Sequence, residues 1–296
     1  MRRSTRVTVS LCLVALPGLA SLAGATNYTL WINGRNNPAK IGNYDDFSYW
    51  GPASVAAGVN KKALNWDGYN SIGTQSRHVR NGLDCFCTGL NWCYIATHSA
   101  GDMMIGYVLA NYGASIRAVK NARADANGVC GDAGPGVVQA GWNIRWVRSA
   151  AGSAGGSELA DAGRWSTGEP LVHEHKVSTA RAMYNHNQTY HIWFYMYAGA
   201  RGTLYSWLLP GQDDEVVAYH SSGGVAGTAG GAYCNPSDWW CRDLTLGAGP
   251  NEDGWPKWGN HWVSFRDDGE NFKHYTNGNW GGITGVLRAD MENLAR

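Results

Sequence analysis

The sequence predicts an α/β fold in which a mostly parallel sheet is flanked by helices. Short β-branched and aromatic runs alternate with segments of helical period. The strand signals at Trp92–Ala96 and Tyr190–Tyr197 are continuous rather than alternating, as in strands buried on both faces. No internal repeat and no long linker interrupts the pattern, so residues 26–296 read as a single domain.

The N-terminus has its own character. Arg2, Arg3 and Arg6 precede a mostly apolar run, Val7–Leu22, and Ala23-Gly24-Ala25 is an A-x-A cleavage pattern. Residues 1–25 therefore read as a signal peptide, which places the protein outside the cytoplasm, secreted or periplasmic. The run is too short and interrupted for a membrane span, and no later stretch approaches the roughly 20 apolar residues that one needs, so no stable membrane insertion is expected. Removing the signal takes three arginines from the 24 basic residues and leaves 21 against 23 acidic ones. Without a basic run or patch, nothing points to a nucleic-acid partner.

Seven cysteines become six after cleavage, and an even number in an exported chain predicts three disulfides. Cys234 and Cys241 bracket a short loop and are expected to pair with each other. Cys85, Cys87, Cys93 and Cys130 leave three connectivities open. With no C-x-x-C pair, a structural metal site is the weaker reading.

In chain order, Tyr28–Ile32 is the first strand and is broken by Asn33-Gly34-Arg35. Lys62–Trp66 is a second short strand. Ser71–Cys87 is a helix, because Ile72, Val79, Leu83 and Phe86 recur at helical intervals while Arg77, Arg80 and Asp84 fall on other faces. Trp92–Ala96 is a strand and Asp102–Leu109 a buried helix. Trp142–Val147 is the next strand and leads into the Gly-rich loop 150–160. Gly202–Leu209 continues or follows the Tyr190–Tyr197 strand, His261–Phe265 is the last strand, and Ile283–Ala295 closes the chain as a helix. Val225–Lys257, rich in Gly, Pro and Trp, is too long for an ordinary loop and reads as a disulfide-pinned excursion near the site.

The chemistry concentrates at Thr97-His98-Ser99-Ala100-Gly101. A serine between strand and helix, with small residues two positions either side, is the context of a nucleophile elbow. Thr97 at the first small position departs from glycine. Serine is a weak nucleophile at its free pKa and needs a histidine base oriented by a carboxylate.

With these segments in view, the chain resembles the α/β-hydrolase superfamily, in its secreted lipase/esterase-like branch. The likeness rests on four segments in order: Asn33-Gly34-Arg35, similar to an early strand ending in H-G; the elbow at Ser99; Gly155–Asp161, similar to a G-S-x-L-A segment; and Gly211–Val217, similar to the G-x-D-x-x-V segment that supplies the acid. The first strand lies close to the cleavage site, so the sheet is expected to lack the family's two leading strands. The resemblance implies Ser99 as nucleophile, Asp213 as acid and His274 as base, with Asp214 and Glu215 as rivals for the acid and His261 for the base. His220 follows the acid too closely, and the family's chain order excludes His78. The side chain of His98, inside the elbow, is expected to point away from Ser99. The resemblance further implies an oxyanion hole from the backbone amides of Arg35 and Ala100, no cofactor and no metal, and a small-molecule or lipid ester as substrate.

Two features compete with this reading. His173-Glu174-His175 would present two imidazoles on one side of a strand, but with no third ligand in register it reads as a surface segment. Trp239, Trp240, Trp255, Trp258, Trp262 and Trp280 crowd the C-terminal third, chiefly as packing anchors. They also allow an alternative in which a catalytically silent hydrolase fold binds glycan or another ligand.

Overall fold

The structure is a computed structural model, and it describes residues 24–51, 57–163, 168–186, 188–209, 212–222, 252–253, 262–274 and 282–296. The signal segment, the Cys234–Cys241 pair, His261, Trp239, Trp240, Trp255, Trp258, Trp280 and nearly all of the Val225–Lys257 excursion lie outside the described residues.

The strands are β1 (Asn27–Ile32), β2 (Lys62–Ala63), β3 (Trp92–His98), β4 (Ile116–Ala118), β5 (Lys120–Ala124), β6 (Cys130–Asp132), β7 (Val138–Ala140), β8 (Ile144–Ala150), β9 (Trp193–Tyr197), β10 (Glu252–Asp253) and β11 (Trp262–Arg266). The helices are α1 (Ile72–Phe86), α2 (Ala100–Tyr112), α3 (Glu158–Asp161), α4 (Pro170–Glu174), α5 (Val177–Ala182), α6 (Tyr219–Ser222) and α7 (Ile283–Leu294). The main sheet has seven strands in the order β10-β11-β9-β8-β3-β1-β2. Every pairing in it is parallel except that of β10 with β11. Among the described residues β2 is the edge strand of this sheet.

Side chains on the central strands alternate between two cores, as a pleated strand covered on both faces requires. Leu30, Ile32, Cys93 and Ile95 face the core shared with α1 and α2. Trp31, Tyr94 and Ala96 face the opposite core, where α7 contributes Ile283, Leu287 and Met291. Each fully buried aliphatic side chain of this kind is worth roughly 1.5–3 kcal/mol over an exposed one.

Helix α1 starts where Ser71 caps it, its side chain accepting the Thr74 N–H at 3.3 Å. Helix α2 is buried along most of its length, so its apolar residues show little amphipathic pattern. The chain runs from β1 to β2 on one side and returns through α1 to β3 on the other. The carboxyl ends of β1 and β3 are therefore the point where the winding reverses, the place where open α/β sheets form their clefts.

Several elements differ from the sequence reading. Strand β9 starts at Trp193 rather than Tyr190, because Tyr190 and His191 both take positive φ and turn the chain before it enters the sheet. Gly202–Leu209 forms turns, with Leu204 and Trp207 exposed, and does not extend β9. The short pairs β4–β7 and β5–β6 were not foreseen; they form two small antiparallel sheets between α2 and β8. His173-Glu174-His175 is no strand. It forms the end of α4 and its cap, with His173 exposed and His175 buried, so the expected surface segment holds for only part of it.

Two disulfides resolve the four N-terminal cysteines as Cys85–Cys130 and Cys87–Cys93. The second joins the C-cap of α1 to β3, the strand that ends at Ser99. Closing so short a loop removes little chain entropy, so replacing both Cys87 and Cys93 by alanine is expected to cost about 2 kcal/mol. Denaturant unfolding of the double variant measures this; an unchanged midpoint would show that the cross-link does not stabilise the fold.

Candidate active site

Ser99 sits between β3 and α2 with φ 54° and ψ −127°, a conformation that a non-glycine residue holds only when its surroundings impose it. Two glycines make this possible. A Cβ on Gly101 would lie 2.5 Å from the Ile32 carbonyl oxygen and 2.8 Å from that of Asn33. A Cβ on Gly34 would lie 2.7 Å from the Ser99 Cβ and 2.9 Å from the His98 carbonyl oxygen. Position 97 needs no glycine: Thr97 is fully buried and pairs in register with Ile32 and Ser149.

The loop after β1 is fixed by Asn33, which is fully buried. Its Nδ2 donates to the carbonyls of Gly34 at 2.8 Å and Trp66 at 3.0 Å, and its Oδ1 accepts the Trp66 N–H at 3.1 Å. The Trp66 indole N–H donates to the Asn33 carbonyl at 2.7 Å. An amide that both donates and accepts thus fills the position where the resembled motif has histidine. Arg35 turns its guanidinium outward into a bidentate pair with Glu169, Nε–Oε2 at 2.8 Å and Nη2–Oε1 at 3.0 Å. Arg35 lines the same cavity as Ser99 and Ala100. Ala100 opens α2, where backbone N–H groups have no intrahelical acceptor.

His274 lies after β11, with its backbone N–H bonded to the Asp214 carbonyl at 2.9 Å. Its Nδ1 is 2.9 Å from Asp214 Oδ2 and its Nε2 is 3.0 Å from Ser99 Oγ. A carboxylate only accepts, so Nδ1 carries the proton in the neutral ring and Nε2 is left to accept from the serine. Asp214 is itself fixed, its Oδ1 accepting the N–H groups of Val216 at 2.9 Å and Val217 at 2.7 Å.

Asp213, the acid expected from the sequence, does not meet the imidazole. It forms a bridge with Ala218, its Oδ1 accepts the Glu215 N–H at 2.8 Å, and burial raises its pKa. Neighbouring residues in extended backbone project to opposite sides, so the bridge that turns Asp213 toward Gly202 turns Asp214 toward His274. The carboxylate that meets the imidazole is that of Asp214, one residue on and the first rival. Glu215 pairs with Lys273 at 2.5 Å. The Gly155–Asp161 segment braces the acid loop: Ser157 Oγ donates to the Val216 carbonyl, and the Gly155 N–H to the Ser221 carbonyl at 2.7 Å.

His98 points away from Ser99, toward the backbone of His274. Its Nε2 is 2.9 Å from the His274 carbonyl, and its Nδ1 is 2.6 Å from Tyr49 Oη. A carbonyl cannot donate, so Nε2 carries the proton and Nδ1 accepts from the tyrosine. Burial, aided by the nearby His274, pushes the His98 pKa down to about 3 and keeps the ring neutral. Nothing in the sequence connected His98 or Tyr49 to residue 274.

A second serine–histidine pair lines the same cavity. Ser153 Oγ is 3.0 Å from His175 Nε2, and His175 Nδ1 is 2.8 Å from the Leu171 carbonyl. The orienting partner at Nδ1 is a carbonyl rather than a carboxylate. Burial pushes the His175 pKa down to about 4. The cavity measures about 410 Å³ and is bounded by Arg35, Tyr49, Ser99, Ala100, His175 and His274 among others. Among the described residues no group of three or more His, Cys, Asp or Glu could hold a metal ion, and no helix is long and apolar enough to cross a membrane.

Sheet order, strand-turn-helix elbow and chain order together define the α/β-hydrolase fold. Among solved structures the chain is similar to lipase 1 from Pelosinus fermentans, with a TM-score of 0.50 and 10% identity over 92% of this chain and 99% of that one. It also matches the mature form of the Bacillus licheniformis lipase BlEst2, with a TM-score of 0.41 and 12% identity over 67% of this chain and 79% of that one. No family model matches the sequence, and no curated protein matches it significantly.

Asp102, in the first turn of α2, is buried, and burial raises its pKa from the ordinary carboxylate range to about 8. A carboxyl whose folded pKa lies above its unfolded value supports stability fully only below the unfolded value, and that support is lost as pH rises through the folded one. Asp102→Asn is therefore expected to gain stability over the parent between about pH 4 and pH 8, by roughly 1.4 kcal/mol per pH unit. Thermal melts of both proteins at pH 5 and pH 7.5 test this, and an equal difference at the two pH values would rule it out.

Proposed function

We propose that this chain is an exported serine hydrolase that cleaves carboxylic esters through an acyl-enzyme. The observation that carries the reading is the unbroken chain from Ser99 Oγ to His274 Nε2 at 3.0 Å and from His274 Nδ1 to Asp214 at 2.9 Å, with the serine on a strained turn. In this reading His274 takes the Ser99 proton as Oγ attacks the ester carbonyl. Asp214 holds the ring and stabilises the imidazolium that forms. The backbone N–H groups of Ala100 and Arg35 receive the oxyanion, and His274 returns the proton to the leaving alcohol. Water, activated by the same imidazole, then releases the acid.

Three further facts support it. The site lies at the reversal point of the sheet, the similar Pelosinus fermentans structure is described as a lipase, and two disulfides together with the N-terminal pattern of residues 1–25 fit export. The silent-binder alternative rested on tryptophans that, but for the backbone of Trp262, lie outside the described residues, and nothing in the described site favours it.

Short-chain p-nitrophenyl esters are expected to be hydrolysed, and a fluorophosphonate to label Ser99 and no other residue. Folded protein that resists the label, or Ser99→Ala protein that keeps its activity, would overturn the reading. Asp214→Asn is expected to lower kcat by about a thousandfold or more, since the imidazolium loses its counter-charge. Asp213→Asn should stay within about tenfold of the parent, because its carboxyl does not touch the base. Equal losses in the two aspartate variants would remove the assignment of the acid.

A further inference from the structure

We propose that Ser153, locked by His175, is an acceptor-only subsite beside Ser99 that selects esters carrying a hydroxyl group. The proposal rests on the ester-hydrolase reading for its substrate and on the cavity for its geometry. The Leu171 carbonyl can only accept, so the proton of neutral His175 sits on Nδ1, and the bare Nε2 takes the hydroxyl hydrogen of Ser153 at 3.0 Å. Ser153 has then spent its single donor. Ser153 lines the cavity together with Ser99, Val172 and Val216, so its oxygen has only lone pairs to offer a ligand there.

The pair cannot readily reverse its polarity. A reversed imidazole would face the Leu171 carbonyl with a lone pair, and Ser153 would have to accept from Nε2. His175 is also tied through its backbone, with its carbonyl accepting the Ser157 N–H at 2.8 Å. Burial holds the ring neutral at ordinary pH. A desolvated acceptor in a partly apolar wall penalises a methylene placed against it and rewards a hydroxyl. Catalysis does not require this arrangement: Ser99, His274 and Asp214 complete their own chain of bonds without it.

Two ester pairs separate where that hydroxyl lies. Methyl 3-hydroxybutyrate against methyl butyrate places it on the acyl side, and glycerol monobutyrate against propyl butyrate places it on the alcohol side. Turnover is followed by pH-stat, and binding to the Ser99→Ala protein by ligand-observed NMR titration. In at least one pair the hydroxylated ester is expected to be favoured roughly three- to tenfold, the worth of one hydrogen bond. That preference should collapse in Ser153→Ala. Ser153→Cys, which keeps the shape of the side chain with a weakly accepting sulfur, should give the same collapse and serves if the alanine variant fails to fold. No preference in either pair, or a preference that survives loss of the Ser153 hydroxyl, overturns the subsite. Binding preference in Ser99→Ala protein without turnover by the parent would leave the subsite standing and remove the hydrolase reading. Turnover without preference would do the reverse.

Discussion

Ser99 is held at φ 54° and ψ −127°, and the rest of the site depends on the packing that enforces this conformation. Such a backbone costs about 1–3 kcal/mol and is kept only where its neighbours leave no alternative. Here the neighbours are the end of β1 against Gly101, the loop at Gly34 against the serine itself, and a helix buried nearly all round. The disulfide from α1 to the start of β3 fixes the other end of the same strand. The elbow is thus clamped at both ends of a seven-residue strand in the middle of the sheet.

Around that clamp, three imidazoles have their protons assigned by partners that cannot donate. His274 faces a carboxylate, while His98 and His175 face backbone carbonyls. The same ring therefore acts differently in each place. Beside the Asp214 carboxyl it stands between that group and Ser99 Oγ. Beside a carbonyl, with burial pushing the pKa down to about 3 or 4, it remains a neutral strut. His98 joins Tyr49 to the backbone of residue 274, so the loop carrying the imidazole is held by its main chain as well as by its ring.

Much of this was legible in the sequence, for a physical reason. Buried parallel strands and a buried helix give continuous apolar runs, and the serine turn between them is constrained by sterics that show directly in residue size. The central elements and the turn at Ser99 could be read in that way, whereas His274 entered only through the resemblance. Asp213 in place of Asp214 could not be resolved, because the side of a loop to which a carboxylate points depends on the Asp213–Ala218 bridge, a non-local contact. The late start of β9 depended on Tyr190 and His191 adopting positive φ, which no residue preference announces. His175 looked like part of a surface segment because two histidines spaced by one residue suit a strand, whereas Pro170 starts a short helix there and its last turn carries His175 inward. The small strands at residues 116–140 are three to five residues long and mostly exposed, so they carry little pattern.

The bond from the His274 backbone to Asp214 has a consequence for biogenesis. A chain made from its N-terminus can dock β1, β3 and α2 long before residue 274 leaves the ribosome. The elbow then exists as a strained turn without the His274 imidazole beside it. On the proposed hydrolase reading, a nascent or C-terminally clipped chain would carry its nucleophile in place and inert. Reactivity would appear only when the last parallel strand has joined the sheet, so the protein would be switched on by completing its own fold.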